Sequence, residues 1–195
     1  CYPTSAILAL APALREGLIN ADVVIDSKSG LSGAGRALSL ISHYAEVNEN
    51  ITAYSVSGHR HLPEIVQELQ NQARDMTVSA IFIPHLIPMT RGIFSSCYAK
   101  MKKNTSAEKI REIYRNFYQG EPFIRIADLP PQTKQTLGSN YCIINPTFDS
   151  RTGKLVVFSC IDNLIKGGAG QAIQNMNLML GFPEETGLRG TAIYP

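Results

Sequence analysis

The order in which apolar periodicities change along the chain limits its fold more than any other feature. Helical spacing marks residues 3–17, where Ile7, Leu8, Leu10 and Leu14 follow the helix-starting Pro3, Thr4 and Ser5. Gly17 can close that helix, and Pro12 reads as a kink or an early stop. Further helical patterns run through 62–75 (Ile65, Leu69, Ala73), through the stretch opened by Thr105-x-x-Glu108 and ended by Gly120, and through the last segment, with Ala172, Ile173, Met176 and Leu180 on one face. Strand-like runs lie at Asp22–Ser27, Ile51–Gly58, Val78–Ile83, Gly92–Ala99, Phe123–Ile126, Tyr141–Asn145 and Leu155–Ile161. Asp149-Ser-Arg-Thr-Gly153 supplies the turn of an antiparallel hairpin between the last two. The strands are not interleaved one for one with helices. The fold expected is therefore α+β, a mixed and largely antiparallel sheet with helices packed on it, and not a doubly wound parallel sheet.

Composition removes whole classes of function. With 195 residues, 44% of them apolar, the chain can bury a sizeable core as one domain. Its formal charge of only +2 speaks against a nucleic-acid binder. No apolar run is long enough to span a membrane, and no charged segment followed by an apolar one marks a secretory leader. No repeat, linker or low-complexity stretch divides the chain. The four cysteines, Cys1, Cys97, Cys142 and Cys160, form no C-x-x-C pair, so a reducing compartment is expected and a structural zinc site is not. The sequence begins with Cys rather than Met, which suits either a processed product or a piece of a longer chain.

Four groups of residues could carry chemistry. Cys1 stands just before a helix, where unpaired N–H groups and the dipole favour a thiolate nucleophile; the bland alternative is an incidental boundary. Gly58-His-Arg-His-Leu-Pro-Glu64 places two histidines around Arg60 at a strand-to-helix junction. That suits acid/base work and an anion clamp, or a solvated polar turn, or an H-x-H metal pair without further ligands. Ser29–Arg36 (SGLSGAGR) follows a strand and could cradle an anion, although it matches neither a dinucleotide fingerprint nor a Walker loop. Lys166-Gly-Gly-Ala-Gly-Gln-Ala172 opens the last helix and suits either a cofactor contact or close packing. Ser27, His43 and His85 read as structural.

Taken in order, several stretches resemble one family. They are Cys1-Tyr-Pro-Thr4, Asp26–Arg36, Tyr54 with His59–Ile65, Pro84–Gly92, Asp162–Ala172 and Gln174–Met179, with the tail ending in Ile193-Tyr-Pro195. The family is N-acetyl-γ-glutamyl-phosphate reductase, of arginine biosynthesis. The resemblance implies an α+β catalytic and dimerisation domain like those of glyceraldehyde-3-phosphate and aspartate-semialdehyde dehydrogenases. It covers nearly the whole chain, and it implies an NADP-binding Rossmann domain that would precede Cys1.

The activity implied is NADPH-dependent reductive dephosphorylation of N-acetyl-L-glutamyl 5-phosphate through a thioester on Cys1. By the same match His61 pairs with the nucleophile, with His59 the alternative, and His59 otherwise belongs with the substrate-binding residues. Ser29 and Gly30 lie near substrate or nicotinamide, Tyr54 lines the pocket, and Gly168, Gln171 and Asn175 reach the nicotinamide. Arg60 and Arg91 are candidate clamps for a carboxylate or phosphate by their charge. The Lys-Gly-Gly-Ala-Gly run replaces the commoner Lys-Gly-Ala-Ala-Gly. A small-molecule substrate, NADP(H), a homodimer or homotetramer, and a cytoplasmic location (mitochondrion or plastid in a eukaryote) follow, with no nucleic acid and no membrane. The alternatives are a lysine-pathway reductase acting on aminoadipyl phosphate, an N-terminal-nucleophile hydrolase using the α-amine of Cys1 as base, and a non-catalytic interaction domain.

Overall fold

The computed structural model describes residues 1–103 and 105–194. Pro195, the end of the tail motif, lies outside them. The first helix, α1, spans Tyr2–Arg15 with Cys1 at its N-cap and Pro3 in its first turn. It runs through Pro12 instead of stopping there. Proline deprives the Leu8 carbonyl of its usual helical donor, and the Tyr118 hydroxyl donates to that carbonyl at 2.7 Å. Tyr114 donates to the next one, Ala9, at 2.8 Å.

Seven strands form one sheet: β1 (Ile19–Ser29), β2 (Thr52–Ala53), β3 (Ser79–Leu86), β4 (Ile93–Met101), β5 (Ile124–Ile126), β6 (Cys142–Asp149) and β7 (Lys154–Ile161). Their order is β2-β3-β1-β4-β7-β6-β5. β1 and β3 run parallel, as do β5 and β6; the other pairs are antiparallel, including the β6–β7 hairpin at Asp149–Lys154. The expected mixed, largely antiparallel α+β architecture is the one observed. Helix α1 packs across β1, β4 and β7, flanked by α3 (Leu62–Gln72) and α4 (Ala107–Phe117). A four-residue helix, α2 (Tyr44–Val47), lies in the exposed 36–50 segment, and α5 (Gly170–Met179) follows a tight turn at Ile165–Ala169.

Period-two alternation in β1 buries Ile19, Ala21, Val23, Ile25, Ser27 and Ser29 and turns Asn20, Asp22 and Val24 outward. Small polar groups, not only aliphatic ones, seat α1 on the sheet. Ser5 Oγ lies 2.9 Å from Ser95 Oγ and 3.1 Å from Ser159 Oγ, and Ser95 Oγ lies 2.7 Å from Ser27 Oγ, all buried. A hydroxyl can give or accept, so the run links the helix to three strands.

Local details differ from the sequence expectations. The 51–58 strand shrinks to Thr52–Ala53, which pair only with Leu86 and His85 at the sheet edge. Ser55 then takes φ +47°, which breaks the extended run. Helix α4 is capped by Ser106, whose hydroxyl accepts from the Lys109 N–H at 3.1 Å; Thr105 is not the cap. In α5 the polar Gln174 and Asn177 are buried, while Ile173, Met176 and Leu180 are exposed. The apolar face read from the sequence thus points away from this chain's core.

Candidate active site

Cys1 is held where α1 meets the turn at 165–169. A Cβ built on Gly167 would lie 2.6 Å from the Cys1 Cβ and 3.0 Å from its Cα, so only a bare backbone fits against Cys1 at this point. Tyr2, next in the chain, is buried. Its hydroxyl donates to the His85 carbonyl at 3.2 Å and accepts from Tyr54 Oη at 3.1 Å. Burial, with Tyr54 second, pushes the Tyr2 phenol well above its ordinary value, so it stays a neutral donor.

Around that ring the two histidines gather. His59 lies edge-on to Tyr2 (5.8 Å between centroids), Tyr54 (5.5 Å), Phe82 (5.4 Å) and His61 (4.9 Å). His61 sits at the N-cap of α3, 6.2 Å from Tyr2. The His61 backbone N–H donates to His59 Nδ1 at 3.1 Å, which puts the proton of a neutral His59 on Nε2. His61 Nδ1 is buried with no hydrogen-bond partner. Its pKa is lowered to about 4, first by burial and then by the positive charges of the Cys1 amino group, His59 and Arg60. His61 is therefore a neutral imidazole at neutral pH in this chain. Among the described residues the Cys1 thiol makes no hydrogen bond to either histidine.

The remaining cysteines are chemically quiet. Cys97, Cys142 and Cys160 are buried and unbridged. Burial pushes the Cys97 thiol up to about 12 and the Cys142 thiol up to about 11.

The Ser29–Arg36 loop is a docked segment over its first residues. Backbone N–H groups of Gly30, Leu31 and Ser32 donate to the carbonyls of Gly92, Met89 and Thr90 at 2.9–3.0 Å. The buried Ser29 hydroxyl donates to the Gly30 carbonyl at 3.0 Å. Asn163 ties the two strips together, accepting from Gly92 N at 2.7 Å and donating to Ser32 Oγ at 2.9 Å.

The two arginines part company. Arg91 Nη2 pairs at 2.8 Å with the fully buried Asp162, whose carboxylate also accepts from the N–H groups of Gly138, Leu164 and Ile165. Arg91 is thus committed to a buried carboxylate, which weakens its case as a substrate clamp. Arg60 is exposed beside the histidines and has no carboxylate partner among the described residues. Gly168 lies in the turn before α5, and on α5 itself Gln171 Nε2 donates to Asn175 Oδ1 at 3.1 Å. Gln171 and Asn175 line a cavity of about 480 Å³ with Thr4 of α1, Glu64 of α3 and Lys166.

Sequence reasoning missed Tyr2, Phe82 and Asp162. Tyr2 and Phe82 pass as core aromatics, and only their place beside the histidines shows otherwise. Asp162, opening a turn-forming Asp-Asn pair, gave no hint that four donors converge on it. Among the described residues no three His, Cys, Asp or Glu side chains group as a metal site, and the H-x-H pair gains no third ligand. Cys1 also opens a helix, where the hydrolase alternative requires a strand.

Comparison with known proteins bears on the family and the fold. A family model described as "Semialdehyde dehydrogenase, dimerisation domain" matches residues 1–163. N-acetyl-gamma-glutamyl-phosphate reductases from Pelotomaculum thermopropionicum and Dehalococcoides mccartyi are 56% and 51% identical over 100% of this chain. The chain spans 57% of the length of each. Among solved structures, aspartate semialdehyde dehydrogenase II from Vibrio cholerae superposes with a TM-score of 0.69 at 16% identity, covering 91% of this chain and 59% of that one. A probable aspartate-semialdehyde dehydrogenase from Pseudomonas aeruginosa gives 0.70 at 15% identity, covering 91% of this chain and 60% of that one. These two likenesses establish the fold, and the family model, which matches most of the chain, establishes the family: the chain belongs to the semialdehyde dehydrogenase dimerisation-domain family.

Proposed function

We propose that this chain is the catalytic and dimerisation part of an enzyme that reduces N-acetyl-L-glutamyl 5-phosphate to N-acetyl-L-glutamate 5-semialdehyde, with release of phosphate. The observation that carries the reading is Cys1 at a helix N-cap, pressed by Gly167 and followed by a tyrosine that two adjacent histidines face edge-on. His61, neutral at working pH, takes the thiol proton, and the thiolate attacks the acyl carbon. The C–S bond forms as the C–O bond to phosphate breaks, leaving a thioester on Cys1. NADPH, when bound, supplies the hydride that reduces it. Collapse of the adduct then returns the electron pair to Cys1 sulfur and frees the aldehyde. Arg60, exposed and without a carboxylate partner, is the clamp for the substrate's anionic groups, while Ser29, Gly30 and Tyr54 shape its pocket. In a longer chain Cys1 carries a peptide nitrogen instead of an amino group, and His61 then titrates higher than it does here.

Gly168, Gln171 and Asn175 are the residues of this chain that meet the nicotinamide. They offer two side-chain amides and an open backbone position on the turn that touches Cys1, a donor and acceptor set that fits a carboxamide. The rest of the cofactor site, and the preference for NADPH over NADH, belong to an N-terminal Rossmann domain. The exposed Ile173, Met176 and Leu180 of α5 suit a covering domain on that side. The helix-free face of the sheet, with Val24 and Ile81 exposed, suits a second copy. No helix is long and apolar enough to cross a membrane, and the cytoplasm is the location proposed.

The test is made on the full-length protein. Phosphate-dependent reduction of NADP by the semialdehyde should be robust and should fall by about 10³ or more in Cys1→Ser, as removal of a covalent nucleophile does. Full activity in Cys1→Ser, or none in the wild type with this substrate, overturns the reading.

A further inference from the structure

Lys166 is 3% exposed, yet nothing in the proposed reaction uses it. It lies in the turn at Ile165–Ala169, whose own backbone is tied by Gly167 N–H to the Asp162 carbonyl (3.0 Å) and Ala169 N–H to the Leu164 carbonyl (2.9 Å). The ammonium donates to Gln174 Oε1 at 2.6 Å and stands 5.5 Å from the centre of the Phe123 ring. Gln174 Oε1 also accepts from Asn140 Nδ2 at 3.0 Å, and Gln174 Nε2 donates to Glu184 Oε1 at 2.5 Å. A glutamine thus bridges a buried cation to an acidic group on the tail after α5. Burial lowers the lysine's pKa, opposed by Cys142, Glu184 and Glu121.

Burying an ammonium costs more than burying a methionine of similar length, so packing alone does not explain it. What a charged group adds is direction: its few acceptors fix where the side chain ends and hence where its backbone sits. The next residue is Gly167, the one in contact with Cys1.

We propose that Lys166 is a positioning residue for the Cys1 nucleophile: held through Gln174 to Glu184, it pins the 165–169 turn so that Gly167 keeps Cys1 in its reactive orientation. This rests on the reading of Cys1 as the nucleophile. The consequence is that a change about 165–169 should alter thiol reactivity apart from stability.

The experiment is alkylation of the full-length protein by iodoacetamide across pH 5–9, with modification of Cys1 followed by peptide mass spectrometry and the melting temperature measured in parallel. Lys166→Met should slow Cys1 alkylation at pH 7 by about fivefold or more and move its pH profile upward, because a misplaced thiol loses the helix N-terminus that favours thiolate. Glu184→Gln should shift the profile the same way by less, and it serves if Lys166→Met does not fold. A lower melting temperature with an unchanged pH profile in whichever variant folds makes Lys166 merely structural and overturns the proposal. A wild-type Cys1 that reacts no faster than Cys97, Cys142 or Cys160 overturns the nucleophile reading, and the proposal falls with it.

Discussion

Two glycine-rich segments of this chain look interchangeable as sequence and differ in what they touch. In the Ser29–Arg36 segment Gly30 is the most confined: a Cβ there would lie 2.6 Å from the Thr90 carbonyl oxygen and 2.8 Å from Arg91 N, while one on Gly33 would lie 3.0 Å from Ser29 Oγ. Gly35 has nothing within 4 Å, and the residues around it are exposed. In the 166–170 segment Gly167 meets Cys1 itself. The first segment uses one glycine to lay a strip of backbone on another, and then runs free. The second uses glycine to bring backbone against the proposed nucleophile. A count of glycines predicts neither; the atoms opposite each one decide its role.

The comparison breaks most readily at Gly167. Gly167→Ala should reduce turnover of the full-length enzyme by about a hundredfold, the scale on which a misplacement of roughly 1 Å in the reacting groups is felt. Steady-state assay beside a thermal melt checks this, and an alanine variant with unimpaired turnover would remove the functional distinction between the segments. Gly30→Ala should act chiefly on stability, by about 1–3 kcal/mol, since two backbones must separate. Urea unfolding measures it, and the effect on turnover should be smaller than that of Gly167→Ala.

The corner beside Gly167 should also show itself in pH. His61 titrates near 4 in the folded chain against an ordinary 6.5, so the unfolded chain binds the extra proton first as pH falls. Stability from this group is complete above about pH 6.5 and is lost as pH falls toward about 4. Partial exposure of the ring weakens the effect. Comparing denaturant midpoints of this 195-residue chain and its His61→Gln variant across that window should show a shallower acid decline in the variant; parallel curves would contradict the assignment. The smallest effect on turnover belongs to Gly35→Ala: its φ of +78° with ψ of −160° is a conformation essentially reserved for glycine, so stability should fall by about 1–3 kcal/mol with turnover unchanged. A large loss of activity there would mean that the free end of the first segment closes on something in the complete enzyme.

Legibility in the sequence followed the range of the interactions. The start of α1, the β6–β7 hairpin and the Asp22–Ser27 part of β1 depend on neighbours a few positions apart, and each could be read in advance. The 51–58 strand could not, because an edge strand lasts only as long as its partner pairs with it. Pro12 looked like a helix stop for want of a fact 110 residues away, that Tyr118 donates to the stranded Leu8 carbonyl. Arg91 looked like a free cation until Asp162 was found beside it. The apolar face of α5 was legible as a pattern and its exposure was not, because periodicity shows that a face is apolar and not what covers it.

The sequence by itself determined the elements, their α+β arrangement and, through an ordered set of motifs, the family to which the chain belongs. Tertiary structure alone decided which chemically capable residues share a site: Cys1 against Gly167, Tyr2 beside His59 and His61, Arg91 withdrawn to Asp162, Lys166 turned inward toward Gln174. The reason is physical. Local structure depends on backbone preference and side-chain period over a few residues. The protonation state of His61 and the availability of each arginine depend on burial and on charges that the fold brings together from distant parts of the chain.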